Sequence, residues 1–237
     1  MNCRFNPTTW TGPSLGHIYM ALVNQTMAHQ SGGKFIFRAE DDQKRYLVHG
    51  LQRNDKQPYS QAQLRHTAAT WLEDLAWMGI NPDQVIYQSE QHAATHAAIA
   101  QLMPTLHEPD WYGDTDFPTV LTGVPYPAAF YLTATTVWYD HQEGVDLLIA
   151  GEDLLTRFSL YRFLEYQWGL APFPHIYLPR LVTATGAISK TLGNYQVQEL
   201  RSRGYTPSAV ATQLRLACLK DPGGDWTVDN IKERPSL

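Results

Sequence analysis

Arg4-Phe5-Asn6-Pro7-Thr8, then Ser14-Leu15-Gly16-His17-Ile18-Tyr19-Met20-Ala21-Leu22, then Gly32-Gly33-Lys34-Phe35-Ile36-Phe37-Arg38-Ala39-Glu40-Asp41 is the stretch that decides the fold. An extended segment over about 2–6 runs into a loop rich in Thr, Gly and Pro. A helix over about 15–29 follows, with Ser14 as its N-cap. Its apolar residues Leu15, Ile18, Leu22 and Met27 recur at near-helical spacing. Ser31-Gly32-Gly33 ends it, and residues 34–39 read as a strand leading into Glu40-Asp41-Asp42. In a strand–helix–strand unit the loop and the helix start lie at the strand's carboxyl end, where open α/β sheets bind ligands.

The same alternation continues outward. A helix is predicted over about 60–78 with Ser60 as cap, a short strand over 85–87 and an Ala/His-rich helix over about 90–105. Residues 107–130 hold most of the Pro, Gly and Asp of the middle region and read as an irregular insertion. Residues 145–150 have the near-continuous apolar character of a buried parallel strand. Gly151-Glu152-Asp153 then opens a helix to about Trp168, whose aromatic residues Phe158, Tyr161, Phe163, Tyr166 and Trp168 read mostly as core. Short strands follow at 176–178 and 181–182, and two helical stretches at about 195–203 and 207–218. Strands alternating with helices imply a mainly parallel sheet.

About 170 residues after the first motif stands Ile188-Ser189-Lys190-Thr191-Leu192-Gly193-Asn194. Taken in this order, the two motifs resemble the HIGH and KMSKS signatures of class I aminoacyl-tRNA synthetases, nearest the glutamyl/glutaminyl branch. Arg4, Phe5, Pro7, Gly16, His17, Ala21, Leu22 and Asn24 match that branch without a gap. So does Gly32-Gly33-Lys34-Phe35-Ile36, with Arg38 and Glu40-Asp41 beyond it. Asp140, Gly144, Gly151-Glu152-Asp153-Leu154-Leu155 and Gly169 keep its spacing. The resemblance covers roughly residues 4–200. It implies an α/β, Rossmann-like parallel sheet with helices on both faces, a small irregular insertion and a short C-terminal helical appendage. The expected division is a catalytic domain over 1–194 and an appendage over 195–237, with no anticodon-binding domain, an extent similar to that of glutamyl-queuosine tRNA(Asp) synthetases.

The chemistry of that family explains the residue types. ATP brings negative charge, and a helix N-terminus offers unpaired N–H groups at its positive dipole end. The resemblance puts Ser14, Gly16, His17, Gly151, Glu152, Asp153, Ser189 and Lys190 on ATP, which enters as MgATP. His17 and Lys190 carry the catalytic roles: His17 donates a hydrogen bond to the nucleotide, and Lys190 stabilises charge as pyrophosphate leaves. It puts Arg4, Asn6, Thr8 and Glu40 in the amino-acid pocket, with Glu40 receiving the α-ammonium. Leu132, Thr136 and Ala150 occupy the family's positions for the side chain.

Departures from the family pattern matter as much. Ser14 stands for the first histidine of HIGH and Ala187 for the first lysine of KMSKS. Tyr177 stands where a histidine is usual. At Ala150 the glutamyl branch has an arginine that grips the substrate's side-chain carboxylate, and a tyrosine and an asparagine at Leu132 and Thr136. The pocket loses a cation and gains apolar surface, and an unpaired carboxylate in a buried site is costly. The amino acid is therefore expected not to be standard glutamate. Three readings follow: an aminoacyl ligase acting on a tRNA 3′ end or modified base, an adenylating enzyme with a non-tRNA acceptor, and a non-catalytic nucleotide or tRNA binder.

Composition bounds the rest. With 237 residues, 43% hydrophobic and 17% charged, the chain can bury a sizeable core. A net charge of −5 argues against broad nucleic-acid contact without excluding a local basic groove. No apolar run approaches a membrane span, no signal segment opens the sequence, and the expected compartment is the cytoplasm. Cys3 and Cys218 make no zinc site. His92 and His96 share a predicted helix face with His107 beyond, but no further ligand completes a set, and no metal site is expected.

Overall fold

The computed structural model describes residues 1–43, 59–102, 126–179, 181–183, 186–187, 195–220 and 226–227. In chain order the first half runs β1 (Cys3–Phe5), α1 (Leu15–Gln30), β2 (Phe35–Ala39), α2 (Gln61–Trp77), β3 (Gln84–Tyr87) and α3 (Gln88–Leu102). The second runs α4 (Tyr126–Gln142), β4 (Leu148–Gly151), a 3₁₀ turn (Glu152–Arg157), α5 (Phe158–Gln167) and β5 (His175–Leu178). Three short strands, β6 (Leu181–Thr183), β7 (Gly186–Ala187) and β8 (Trp226–Thr227), and the helices α6 (Val197–Ser202) and α7 (Pro207–Lys220) complete it.

β1, β2 and β3 pair in that order, all parallel, with Cys3 opposite Phe35 and Ile36 opposite Gln84. β4 and β5 form a second parallel pair, with Ala150 opposite Tyr177. A parallel bridge between Cys3 and Leu147 joins the two, and the Asn2 carbonyl accepts from the N–H groups of Asp146 and Leu147 at 3.0 and 3.3 Å. The order across the sheet is therefore β3-β2-β1-β4-β5. The chain leaves β1 in one direction and later returns to its other side. That reversal is a topological switch point, and the crevice for a ligand opens at the carboxyl ends of β1 and β4.

Successive side chains of each strand point to opposite faces. On one face Cys3, Phe5, Phe35, Phe37, Leu147 and Ile149 meet Leu15 and Ile18 of α1 and Trp71 and Leu75 of α2. Val197 and Leu200 of α6 and Val210 and Leu214 of α7 enter this same core. On the other face Ile36, Ile86, Leu148 and Ala150 meet Ala134 and Val137 of α4 and Leu160, Tyr161 and Leu164 of α5. Burying each large side chain contributes about 1.5–3 kcal/mol.

Local signals set the helix ends. Gln63 N–H donates to Ser60 Oγ at 3.2 Å and Ser60 N–H to Gln63 Oε1 at 2.9 Å, a reciprocal cap for α2. After α1, Gly32 takes φ +69°, a left-handed conformation that suits glycine, and Gly33 N–H closes the turn on Ala28 O at 2.8 Å.

Four expectations change. Residues 126–130, expected within the irregular insertion, are helical. α4 as a whole does not show in the periodicity, because Thr133, Thr135, Thr136 and Val137 are β-branched and score poorly for helix; Pro127 is tolerated because it lies in the first turn. The segment after Gly151 starts as a 3₁₀ turn before α5. Tyr166, read as core, is 82% exposed, because α5 buries Leu160, Tyr161 and Leu164 and turns 166 outward.

Candidate active site

A cavity of about 740 Å³ opens at the switch point. Of the residues named from sequence, it brings together Arg4, Asn6, Thr8, Ser14, Gly16, His17, Glu40, Thr136, Ala150, Gly151 and Asp153. Leu132 is fully buried and does not line it; the next residue, Thr133, does. Glu152 lies on the turn at the end of β4 but not on the wall. Ser189 and Lys190 lie outside the described residues, as do His107 and the side chain of His96.

The α1 side is held by the helix cap. His17 Nδ1 accepts from the Ser14 backbone N–H at 3.1 Å and lies 2.7 Å from Ser14 Oγ. A ring nitrogen that accepts from a backbone amide carries no proton, so in the neutral ring Nε2 is the donor. The ring packs edge-on against Trp71, centroids 5.0 Å apart. Ser14 is thus spent orienting His17. The helix start is also partly satisfied: Leu15 N–H donates to Tyr195 O at 3.0 Å and His17 N–H to Ser14 O at 3.0 Å. A Cβ at Gly16 would find nothing nearer than Ser14 Oγ at 3.9 Å, so the space above Gly16 is open to a ligand.

Residue 195 matters for another reason. It is the first described residue after the 188–194 stretch that carries Ser189 and Lys190. Tyr195 takes φ +59°, Gln196 makes an antiparallel bridge to Ser14, and Val197 N–H donates to Pro13 O at 2.9 Å. Residues 195–197 are therefore fixed beside Pro13, Ser14 and Leu15.

On the β2 side, the end of β1 pairs with the end of β2. Thr8 bridges Glu40 in parallel, and Glu40 N–H donates to Pro7 O at 3.1 Å. The buried Glu40 carboxylate accepts from Asn6 Nδ2 at 3.0 Å. This fixes one carboxylate oxygen and directs an anion at the cavity.

On the α4/α5 side, the floor is charged. Arg4 is 3% exposed and donates through Nε and Nη2 to both oxygens of Asp140, at 2.9 and 3.0 Å. Asp140, fully buried, also accepts from Arg38 Nη2 at 2.7 Å and Tyr161 Oη at 2.9 Å. Arg38 turns its other nitrogen to Glu143 at 2.7 Å. Burial opposes charge on Asp140, but Arg4 and Arg38 outweigh it and hold the carboxyl below its usual range. Burial and the Asp140 charge push the Tyr161 hydroxyl up, so it keeps its proton and donates it. Tyr177, opposite Ala150, turns its hydroxyl to His175 Nδ1 at 3.2 Å. Burial pushes the His175 ring down to about 4, with Arg162 acting the same way.

The wall also holds residues with no role in the sequence reading, among them Thr133, Arg157, Tyr161, Tyr177 and Leu181. Tyr161 was hidden in an aromatic run, and Thr133 lies one place from Leu132. No pattern marks Arg157. His92, considered for zinc, instead pairs through Nδ1 with Asp42, and among the described residues no three His, Cys, Asp or Glu converge on a cation position.

This parallel sheet with a switch-point crevice is a Rossmann-like fold of the kind seen in solved class I aminoacyl-tRNA synthetases. The chain superposes on a glutamate-tRNA synthetase from Elizabethkingia anophelis with TM-score 0.64 over 91% of its length and 61% of that chain, at 16% identity. It superposes equally, 0.64 over 82% at 13% identity, on a tyrosyl-tRNA synthetase from Archaeoglobus fulgidus that covers 60% of that chain. The sequence is similar to one branch of that class. Residues 1–107 match the family model described as tRNA synthetases class I (E and Q), catalytic domain. A glutamate–tRNA ligase 2 from Methylobacterium sp. (strain 4-46) is 23% identical over 88% of this chain and 58% of its own length. A glutamyl-Q tRNA(Asp) synthetase from Rhodobacter capsulatus is 35% identical over 43% of this chain and 31% of its own. The chain spans 58% of the length of the first of these relatives. The resemblance to the glutamyl/glutaminyl branch, read over roughly residues 4–200, is borne out, with the family model matching residues 1–107. No helix among the described residues is long and apolar enough to cross a membrane.

Proposed function

We propose that the chain uses MgATP to convert an amino acid to its aminoacyl-adenylate and passes the acyl group to a tRNA, and that the amino acid is not standard glutamate. The observation that carries this is the meeting, in one cavity, of Gly16 and His17 from the first motif with the Asn6-held Glu40 carboxylate. Glu40 pairs with the α-ammonium, which aims the substrate carboxylate at the α-phosphate. That carboxylate oxygen bonds to phosphorus and pyrophosphate leaves with the electron pair. His17 donates through Nε2 to the nucleotide, Gly16 lets it come close, and Lys190 neutralises the departing charge. Mg²⁺ arrives with the phosphates. Ala150 supplies no cation for a side-chain carboxylate.

The test is ATP–pyrophosphate exchange across the twenty amino acids, with transfer to labelled tRNA as the second step. MgATP is expected to raise the melting temperature by binding linkage, and His17→Ala to shrink that rise. Exchange with no amino acid and no thermal shift at millimolar MgATP would defeat the proposal. Strong, selective exchange with glutamate would defeat only its specificity.

A further inference from the structure

Ser14 stands where the HIGH signature has its first histidine, and a lost phosphate contact is the plain expectation there. The atoms around Ser14 give it other work, on an inference that rests on the adenylation reading. His17 Nδ1 accepts from the Ser14 backbone N–H at 3.1 Å, so it carries no proton. Ser14 Oγ lies 2.7 Å from the same nitrogen. A contact that short needs a proton between its two atoms, and only the hydroxyl can supply it. Ser14 therefore donates twice to one acceptor, through its backbone and through its side chain.

A hydroxyl has one proton to give, and this one is committed to His17. Toward a phosphate oxygen Ser14 Oγ presents lone pairs, although the residue lines the cavity. The ring it holds is fixed in plane as well. His17 stands edge-on to the buried Trp71, planes at 77°, and the Trp71 N–H donates to the Thr11 carbonyl. Ser14 is itself anchored on both sides. Its carbonyl accepts from the N–H groups of His17 and Ile18 at 3.0 and 3.1 Å, and it bridges Gln196.

We propose that Ser14 is a positioning residue: it acts on the nucleotide only through His17, by holding the ring at one angle with its proton on Nε2, and it makes no phosphate contact of its own. A histidine at position 14 would then restore nothing. It would remove the hydroxyl that orients His17.

A double-mutant cycle on the full chain tests this, with Ser14→Ala, His17→Ala and both together, read by pyrophosphate exchange and by calorimetric MgATP affinity. Ser14→Ala alone should lower each by about fivefold or more. On the His17→Ala background the same change should cost less than about twofold. Ser14→His should slow exchange. Losses that multiply, as a separate phosphate contact by Ser14 requires, or faster exchange in Ser14→His, overturn the proposal. Nitrogen-15 NMR of the histidine rings at pH 8 reads the same geometry without nucleotide. His17 should show the Nε2–H form, and Ser14→Ala should move its Nδ1 resonance downfield by several ppm as one donor is lost. A proton on Nδ1, or an Nδ1 resonance unmoved in the folded variant, also overturns it. Where Ser14→Ala fails to fold, Ser14→Cys, a weaker donor, takes its place in both measurements. No exchange by the unmutated chain, together with the expected cycle in MgATP affinity, would sink the adenylation reading alone. Intact exchange with a multiplicative cycle would sink this inference alone, and no MgATP binding would sink both.

Discussion

The two faces of the sheet are built on opposite plans. Under α1 and α2 the strands present Cys3, Phe5, Phe35, Phe37, Leu147 and Ile149, all apolar. Under α4 and α5 the same strands present Arg4 and Arg38 beside Ile36, Leu148 and Ala150, and α4 answers with Asp140. Apolar packing is non-directional and tolerates small changes of shape. A buried ion cluster is directional, and it is weak evidence for stability because desolvation offsets much of its attraction. The first face therefore reads as the source of stability, and the second as buried charge placed where it meets the cavity.

The sharpest way to break this contrast is Asp140→Ala. It leaves two buried guanidiniums without their shared carboxylate, and a loss of about 3–5 kcal/mol in urea unfolding is expected. A loss under 1 kcal/mol would mean that water already compensates the cluster. The stability held by Asp140 is also pH-dependent. Its folded pKa is depressed by Arg4 and Arg38, so its contribution is present above the ordinary aspartate value of 3.8 and fades as pH falls through the folded value.

Next in size is Lys190→Ala on the nucleotide side. Removing one strong electrostatic contact made as pyrophosphate leaves should cost about a hundredfold in exchange rate, with little change in ATP affinity. Exchange at the unmutated rate would make Lys190 a bystander and favour a binder over an enzyme.

These two sites were not equally legible in the sequence. The α1 side is local: strand, cap, glycine, histidine and second strand lie within 40 residues, and period and capping rules expose them. The Arg4–Asp140 pair spans 136 residues and needs α4, whose threonine-rich segment hides the helix. Its neutralising effect could not be read from Arg4 alone, since a guanidinium at a strand end looks the same with or without a partner. Asp140 stood in the sequence only as a matched spacing. Leu132 stands at a family tyrosine's position, but it is fully buried and the wall is lined instead by Thr133 and Thr136.

A conservative change on the apolar face gives the baseline. Ile149→Val removes one methylene from a side chain 1% exposed beside Cys3 and Leu147, and about 1 kcal/mol should be lost. Because no charge is involved, the loss should be equal at pH 7 and pH 5. A pH-dependent loss would show that the two faces are coupled through β4.

The smallest effect separates the two faces by pH alone. His175 on β5 is ringed by Phe158, Tyr161, Phe173 and Tyr177. Burial is the main reason its ring stays neutral down to about 4, with Arg162 opposing the proton and Glu165 and Asp140 only partly offsetting it. In the unfolded chain the ring titrates near the ordinary 6.5. Between those values the unfolded chain takes up a proton that the folded one refuses. His175 is therefore neutral for stability above pH 6.5, and stability falls as pH drops from 6.5 to 4. One full proton would give about 1.4 kcal/mol per pH unit; the ring is only part-buried, so solvent screening reduces the slope. His175→Phe keeps an aromatic in the ring cluster and removes the proton site. It should flatten stability between pH 6.5 and 4 while leaving the Asp140 decline below pH 4 in place. Unfolding curves at half-unit pH steps read both windows in one series. An unchanged slope above pH 4 in the Phe variant would show that His175 takes up its proton in the folded chain as readily as in the unfolded one, and that the aromatic ring around it does not exclude charge.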